Sequence, residues 1–253
     1  MKTQRAVLSS LVAALAAGGI SAVPGAAQET KSGTQPTTVT APAPVYKPPL
    51  LGAPAGRVGG GTRSGSARDI FVLSALVPED SGLTISEQPS LYWYISTATA
   101  LPVEVAISDP RATQPLVETQ LPSPAKPGIQ RIRLADLGVR LAPGVAYRWS
   151  VSVIPDANRR SKDILAGGVI ERVEAPAGLR EKLAQSRKEE YPALYAGAGL
   201  WYDALASISE LIEVTPYDAQ LRKQRSALLN QVSLPELPDE GGIRYNAPTM
   251  NWK

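Results

Sequence analysis

The chain has 253 residues, with 26 Lys and Arg against 23 Asp and Glu, and it contains neither Cys nor His. No disulfide, thiolate metal site, Ser-His-Asp triad, Cys-His pair or imidazole-ligated metal can therefore be built from it. Catalysis, if any, is left with carboxylate pairs, Ser-Lys dyads or an oxygen-only cation site.

Lys2 and Arg5 give a short positive start, Ala6 to Ile20 runs without charge, and the small residues Ser21 to Ala27 follow. That order is the tripartite export signal. The apolar run of about 15 residues is shorter than the roughly 20 a membrane-crossing helix needs, and Gly18-Gly19 weakens it further as a helix. The expected cut is Ala27/Gln28, with a cut after Ala22 as the alternative and a retained anchor as the rival reading. Cleavage removes Lys2 and Arg5 and leaves 24 basic against 23 acidic residues, a net +1. Such a balance argues against a nucleic-acid partner, which usually calls for a clustered basic face. No later stretch is apolar enough to span a bilayer, so a product free of transmembrane segments, periplasmic or secreted, is expected.

Residues 28–68 are expected to be a disordered linker. Ala41-Pro42-Ala43-Pro44 and Pro48-Pro49 cannot bury enough apolar area to offset chain entropy, and Arg57-Val58-Gly59-Gly60-Gly61-Thr62-Arg63 reads as a flexible lead-in loop. A phosphate loop is excluded there, because no strand precedes the glycines and no Lys-Ser/Thr follows at the required spacing. No other cofactor motif is present.

Residues 69–176 read as β. Short, often alternating runs at 70–76, 91–96, 103–108, 115–121, 129–134, 147–154 and 167–173 are separated by Pro, Gly, Asp and Ser. Seven such strands predict a β-sandwich. Alternation places Leu91, Trp93 and Ile95 on one face and Tyr92 and Tyr94 on the other; Tyr147, Trp149, Val151 and Val153 share a face opposite Arg148. Trp93 and Trp149 are assigned to the core. Leu141-Ala142-Pro143-Gly144-Val145-Ala146-Tyr147 resembles the tyrosine corner of fibronectin type III domains, which implies a Tyr147 hydroxyl tied to the loop behind it.

From about Pro176 the period becomes helical, with helices expected over 178–186, 187–197, from Gly199 toward Pro216, and over 218–230. Gly199, Ala204, Ile208 and Pro216, with Tyr195 before them, sit at the offsets of a tetratricopeptide repeat, which this segment resembles. The alternative is a plain helical hairpin. One and a half repeats bury one face only, so a hairpin over 177–235 packed on the β part is expected, with 236–253 a loose tail. Tyr195, Leu200, Trp201, Leu205, Ile208, Leu211 and Leu228 exceed what two helices can hide, so some must reach the sheet.

Together, Arg57 to Arg63, Leu83-Thr84 with Pro89, Tyr147-Arg148-Trp149 and above all Leu194-Tyr195-Ala196 with Gly199, Trp201, Tyr202, Asp203, Ala204 and Leu205 resemble the Domain of Unknown Function 928 family. That resemblance covers about residues 50–235 and implies an exported protein of a mostly cyanobacterial family. It implies no catalytic residue. Many members carry Cys where this chain has none.

The candidate sites are few. Glu79-Asp80, Glu189-Glu190 and Ser161-Lys162 fit solvated turns better than catalysis. Tyr92 and Tyr94 with Arg148 are a possible ligand surface, or else lie covered by the hairpin. Gly199, Trp201, Tyr202, Asp203, Ala204 and Pro216 are structural motif positions. The expectation is a non-enzymatic extracytoplasmic binding or assembly module for a protein or saccharide partner of the cell envelope, with no metal or cofactor. The rival is a carboxylate-based hydrolase acting on envelope material.

Overall fold

Alternating burial marks the strands most clearly in β5 (Val103–Ser108), where Val103, Val105 and Ile107 are buried and the residues between them are partly exposed. The structure is a computed structural model that describes residues 41–49, 57–63, 70–124, 126–232, 234 and 244–245, all within one unit spanning Thr40–Lys253. The expected cleavage site, Ala27/Gln28, lies outside the described residues.

Two sheets form. The first runs, in spatial order, β1 (Gly59–Arg63), β2 (Ile70–Ala75), β4 (Ser90–Ile95), β7 (Gly128–Arg133) and β10 (Arg244–Tyr245). The second runs β3 (Gly82–Thr84), β9 (Ile164–Arg172), β8 (Ala146–Val153), β5 and β6 (Val117–Leu121). All seven strands expected from alternation are present. Their register explains the core: Val103 faces Val153, Val105 faces Val151 and Ile107 faces Trp149 across the β5–β8 pair, and all six are buried. At the turn before β8 the Ala142 N–H donates to the Tyr147 hydroxyl at 3.2 Å, the tie that the tyrosine-corner resemblance implies.

Among the described residues four α-helices follow: α1 (Leu179–Gln185), α2 (Tyr191–Gly197), α3 (Trp201–Val214) and α4 (Ala219–Asn230). Pro192 occupies the first turn of α2, where its missing N–H has no partner to lose. Asp218 caps α4 by accepting from the Gln220 and Leu221 N–H groups at 2.8 and 3.2 Å. Leu200, Trp201, Leu205, Ile208 and Leu228 are all buried.

Helix α3 explains why β4 is buried along almost its whole length. Leu91 and Trp93 face Ile132 and Gln130 of β7, while Tyr92 faces Arg131. Arg131 in turn pairs with Glu213 of α3 at 3.0 Å, so one face of this sheet lies beneath the helix. Tyr92 and Tyr94, 0 % and 5 % exposed, are therefore packing residues. Arg148 is exposed on the second sheet. Of the two readings given for these residues, the burial of Tyr92 and Tyr94 fits the covered one.

Two expectations are corrected. The glycine run is strand β1: Gly59 to Arg63 pair antiparallel with Ser74 to Ile70, and Val58 exchanges two backbone hydrogen bonds with Gly167, at 3.1 and 2.9 Å. Backbone pairing on two sides supplies what glycine's weak strand preference does not. Residues 41–49, expected as part of a disordered linker, are held against the helices. The ring of Tyr46, itself buried, meets Trp201 edge-on with centroids 5.0 Å apart. In the expected loose tail, the described pair Arg244–Tyr245 adds to β7 in parallel.

Candidate functional site

The first turn of α3 carries three consecutive side chains that reach three separate parts of the fold. The Trp201 Nε1–H donates to the Leu76 carbonyl at 2.9 Å. The Tyr202 hydroxyl accepts from Trp149 Nε1–H at 2.8 Å and donates to the Val169 carbonyl at 3.1 Å. The third, Asp203, accepts from the Ile85 N–H at 3.1 Å. Gly82 leaves room for this arrangement, since a Cβ there would sit 2.5 Å from the Tyr202 ring.

With α3 fixed in this way, the turn after β3 stands opposite α2 and α3. The turn is built from short hydroxyl contacts. The Ser86 N–H donates to Thr84 Oγ1 at 3.0 Å, and the Gln88 N–H to Ser86 Oγ at 3.3 Å. Gln88 Nε2 donates to the Val139 carbonyl at 3.1 Å. Between turn and helices lies an open cavity of about 500 Å³. From α3, Asp203, Ala206, Ser207 and Glu210 line it at offsets of three, four and seven residues, one face of a helix. From α2, Tyr191 and Tyr195 line it one turn apart, their rings edge to face at 6.2 Å and 82°. Ser86, Gln88 and Ser90 add neutral polar groups, and among the described residues no Lys or Arg lines the cavity.

Burial pushes the Asp203 carboxyl up to about 6 from an ordinary 3.8. Hydrogen bonds from Ile85, Thr84, its own backbone and Ser86 oppose the shift. Its oxygens thus clamp the turn after β3 to the helix. Glu210 stands two turns further along α3, about 10 Å of helical rise away, and is exposed. The cavity thus brings together two carboxylates, the rings of three tyrosines (Tyr191, Tyr195 and Tyr202) and several neutral donors and acceptors. Among the described residues no cluster of three or more Asp or Glu could hold a metal ion, and no helix is long and apolar enough to cross a membrane.

The other sequence candidates lie elsewhere. Glu79 is exposed and pairs with Arg57 at 3.7 Å, Glu190 pairs with Arg187 at 3.2 Å, and Ser161 and Lys162 are exposed in a short 3-10 turn. Pro216 is exposed in the turn between α3 and α4, and Ala204 is fully buried. Gly199 has φ +77°, and its missing Cβ makes way for the Lys47 carbonyl. Sequence reasoning missed Tyr191, Ser86, Gln88 and Glu210 as cavity residues. The available signals were Tyr191 and Tyr195 four apart, and Asp203 and Glu210 seven apart on one helix.

Asp203 makes the fold pH-dependent in a definite direction. A carboxyl whose folded value lies above its unfolded one stabilises most when protonated. Its contribution is full below pH 3.8 and is lost as pH rises to about 6. The loss amounts to at most about 3 kcal/mol, at 1.36 kcal/mol per unit, reduced because the group is partly open to the cavity. Urea melts between pH 3.5 and 7 on Asp203→Asn are expected to lack this slope relative to wild type. An unchanged slope would place the proton elsewhere.

A comparison with curated proteins finds no match. The model of a domain family described only as Domain of Unknown Function (DUF928) matches residues 58–241. That match takes in β1 to β9, all four helices and every residue lining the cavity, and the chain belongs to the DUF928 family.

Proposed function

We propose that this protein is an exported, non-enzymatic binding module of the cell envelope, and that the cavity between α2, α3 and the turn after β3 takes a neutral saccharide. The observation that carries this reading is the cavity lining: Tyr191 and Tyr195 beside Asp203, Glu210, Ser86 and Gln88, with no basic residue among the described ones. Aromatic rings offer apolar faces to the C–H faces of a sugar, and carboxylates and amides bond its hydroxyls. Two carboxylates without a cation disfavour anionic ligands.

The fold reading that goes with it is a fibronectin-type sandwich carrying a tetratricopeptide-like hairpin. What supports the first is the strand order β2-β4-β7 facing β9-β8-β5-β6, together with the Tyr147 tie. What supports the second is the spacing of Gly199 before α3, Ala204 and Ile208 within it and Pro216 after it. The disposition we propose is a signal peptide over 1–27, a connecting segment, a β part that begins at β1 and runs to residue 176, and a docked hairpin over 177–235.

One observation favours a second reading. A carboxyl pushed up to about 6 in the same cavity as Glu210 is the pairing that a carboxylate hydrolase uses. The binding reading has more support, because the Asp203 hydrogen bonds all go to the 84–86 turn and its own backbone.

Titration calorimetry against neutral cell-envelope oligosaccharides is expected to find a ligand whose affinity falls at least tenfold in Tyr191→Ala, without turnover. Hydrolysis of any such oligosaccharide that Glu210→Gln abolishes would replace binding with catalysis. For export, N-terminal sequencing of the secreted product is expected to begin at Gln28, and a product retaining Met1 would overturn it.

A further inference from the structure

Residues 41–47 lie in a groove that recognises them as a peptide ligand would be recognised. The Gln231 carboxamide, just past α4, closes on the backbone on both sides of Val45. Its Oε1 accepts from the Tyr46 N–H at 2.8 Å, and its Nε2 donates to the Pro44 carbonyl at 3.0 Å. A second Nε2 bond, to the Ala227 carbonyl of α4 at 3.1 Å, holds the amide in that orientation. The Lys47 N–H donates to the Ala196 carbonyl of α2 at 3.0 Å, and Gln224 Nε2 donates to the Ala41 carbonyl at 3.2 Å. Pro44 and Tyr46 are buried, while Val45 between them is 60 % exposed. This is extended-peptide recognition: main-chain bonds supply affinity, and alternate side chains supply selectivity for Pro-x-Tyr.

We infer that this groove is a self-recognition site whose exchangeable occupant is the Pro44-Val45-Tyr46 arm of a second copy of the chain. Pro-x-Tyr occurs once in the sequence, at 44–46, so the chain carries both the groove and its only matching segment. Residues 50–56 connect the arm to the strands and include Gly52, Pro54 and Gly56. Swapping arms between two copies keeps every contact and closes on a two-fold axis. Tethering gives a chain's own arm an effective concentration on the order of millimolar. The closed monomer therefore holds at micromolar concentration, and exchange sets in where copies are crowded, as on a surface. This site is separate from the saccharide cavity and does not depend on it.

The test uses the full chain and a fluorescein-labelled peptide of residues 41–49. In Tyr46→Ala, whose own arm is weakened, the labelled peptide is expected to bind saturably, and adding Gln231→Ala weakens that binding about tenfold or more. Sedimentation of the wild-type chain is expected to show a monomer at micromolar and a dimer near millimolar concentration, with the dimer dissolved by excess unlabelled peptide. A peptide that fails to bind overturns the groove. A chain that binds it yet stays monomeric overturns the second copy as occupant, as does a dimer indifferent to the peptide. If Tyr46→Ala does not fold, the wild-type sedimentation arm decides alone.

Discussion

The Tyr202 hydroxyl is the constraint on which the rest of the structure depends. It lies in the buried seam where α3 meets the sheets, so both its donor and its acceptor capacity must be met within the protein. Trp149 of β8 supplies one bond and the Val169 carbonyl of β9 the other. A lost partner would leave a buried polar group at a cost of about 1–3 kcal/mol. The neighbouring Trp201 and Asp203 are thereby committed to Leu76 and Ile85. One helical turn thus ties together the segment between β2 and β3, the second sheet and the turn that walls the cavity.

The cavity follows from that geometry. Because Asp203 holds the turn after β3, its hydroxyls and Gln88 face the tyrosines of α2 across a fixed gap. Because α3 is amphipathic and spends Leu205, Ile208 and Ile212 on the core, the face left over is Asp203, Ala206, Ser207 and Glu210. The negative character of the site is therefore a by-product of how the helix docks, and under the proposed binding reading it disfavours anionic ligands.

Most of the strands and all four helices were legible in the sequence, because their apolar periods are dictated by a core that each element must face. Trp93 and Trp149 were placed correctly for the same reason. What could not be read was structure held by backbone rather than by side-chain pattern. β1 has three glycines and no pattern at all; its position comes from pairing with β2 and Gly167. The 41–49 arm has the composition of a solvated spacer, and what orders it lies nearly two hundred residues away, in Gln224 and Gln231. Tyr92 and Tyr94 mark another limit. Alternation assigns them to the face away from Trp93, but whether that face meets solvent or a helix is decided by α3. The cavity was half visible: Tyr195 and Asp203 stood out in the family motif, while Ser86 and Gln88 belong to a turn whose role exists only once α3 is docked.

The Trp201-Tyr202-Asp203 turn makes sheets and helices one cooperative unit. Hydrogen exchange during urea unfolding of Trp201→Ala tests it most directly, since Trp201 is fully buried. One transition is expected, destabilised by about 3–5 kcal/mol, in which amides of β8 and β9 lose protection together with those of α3 and α4. Wild-type protection in the sheets with loosening confined to the helices would contradict it.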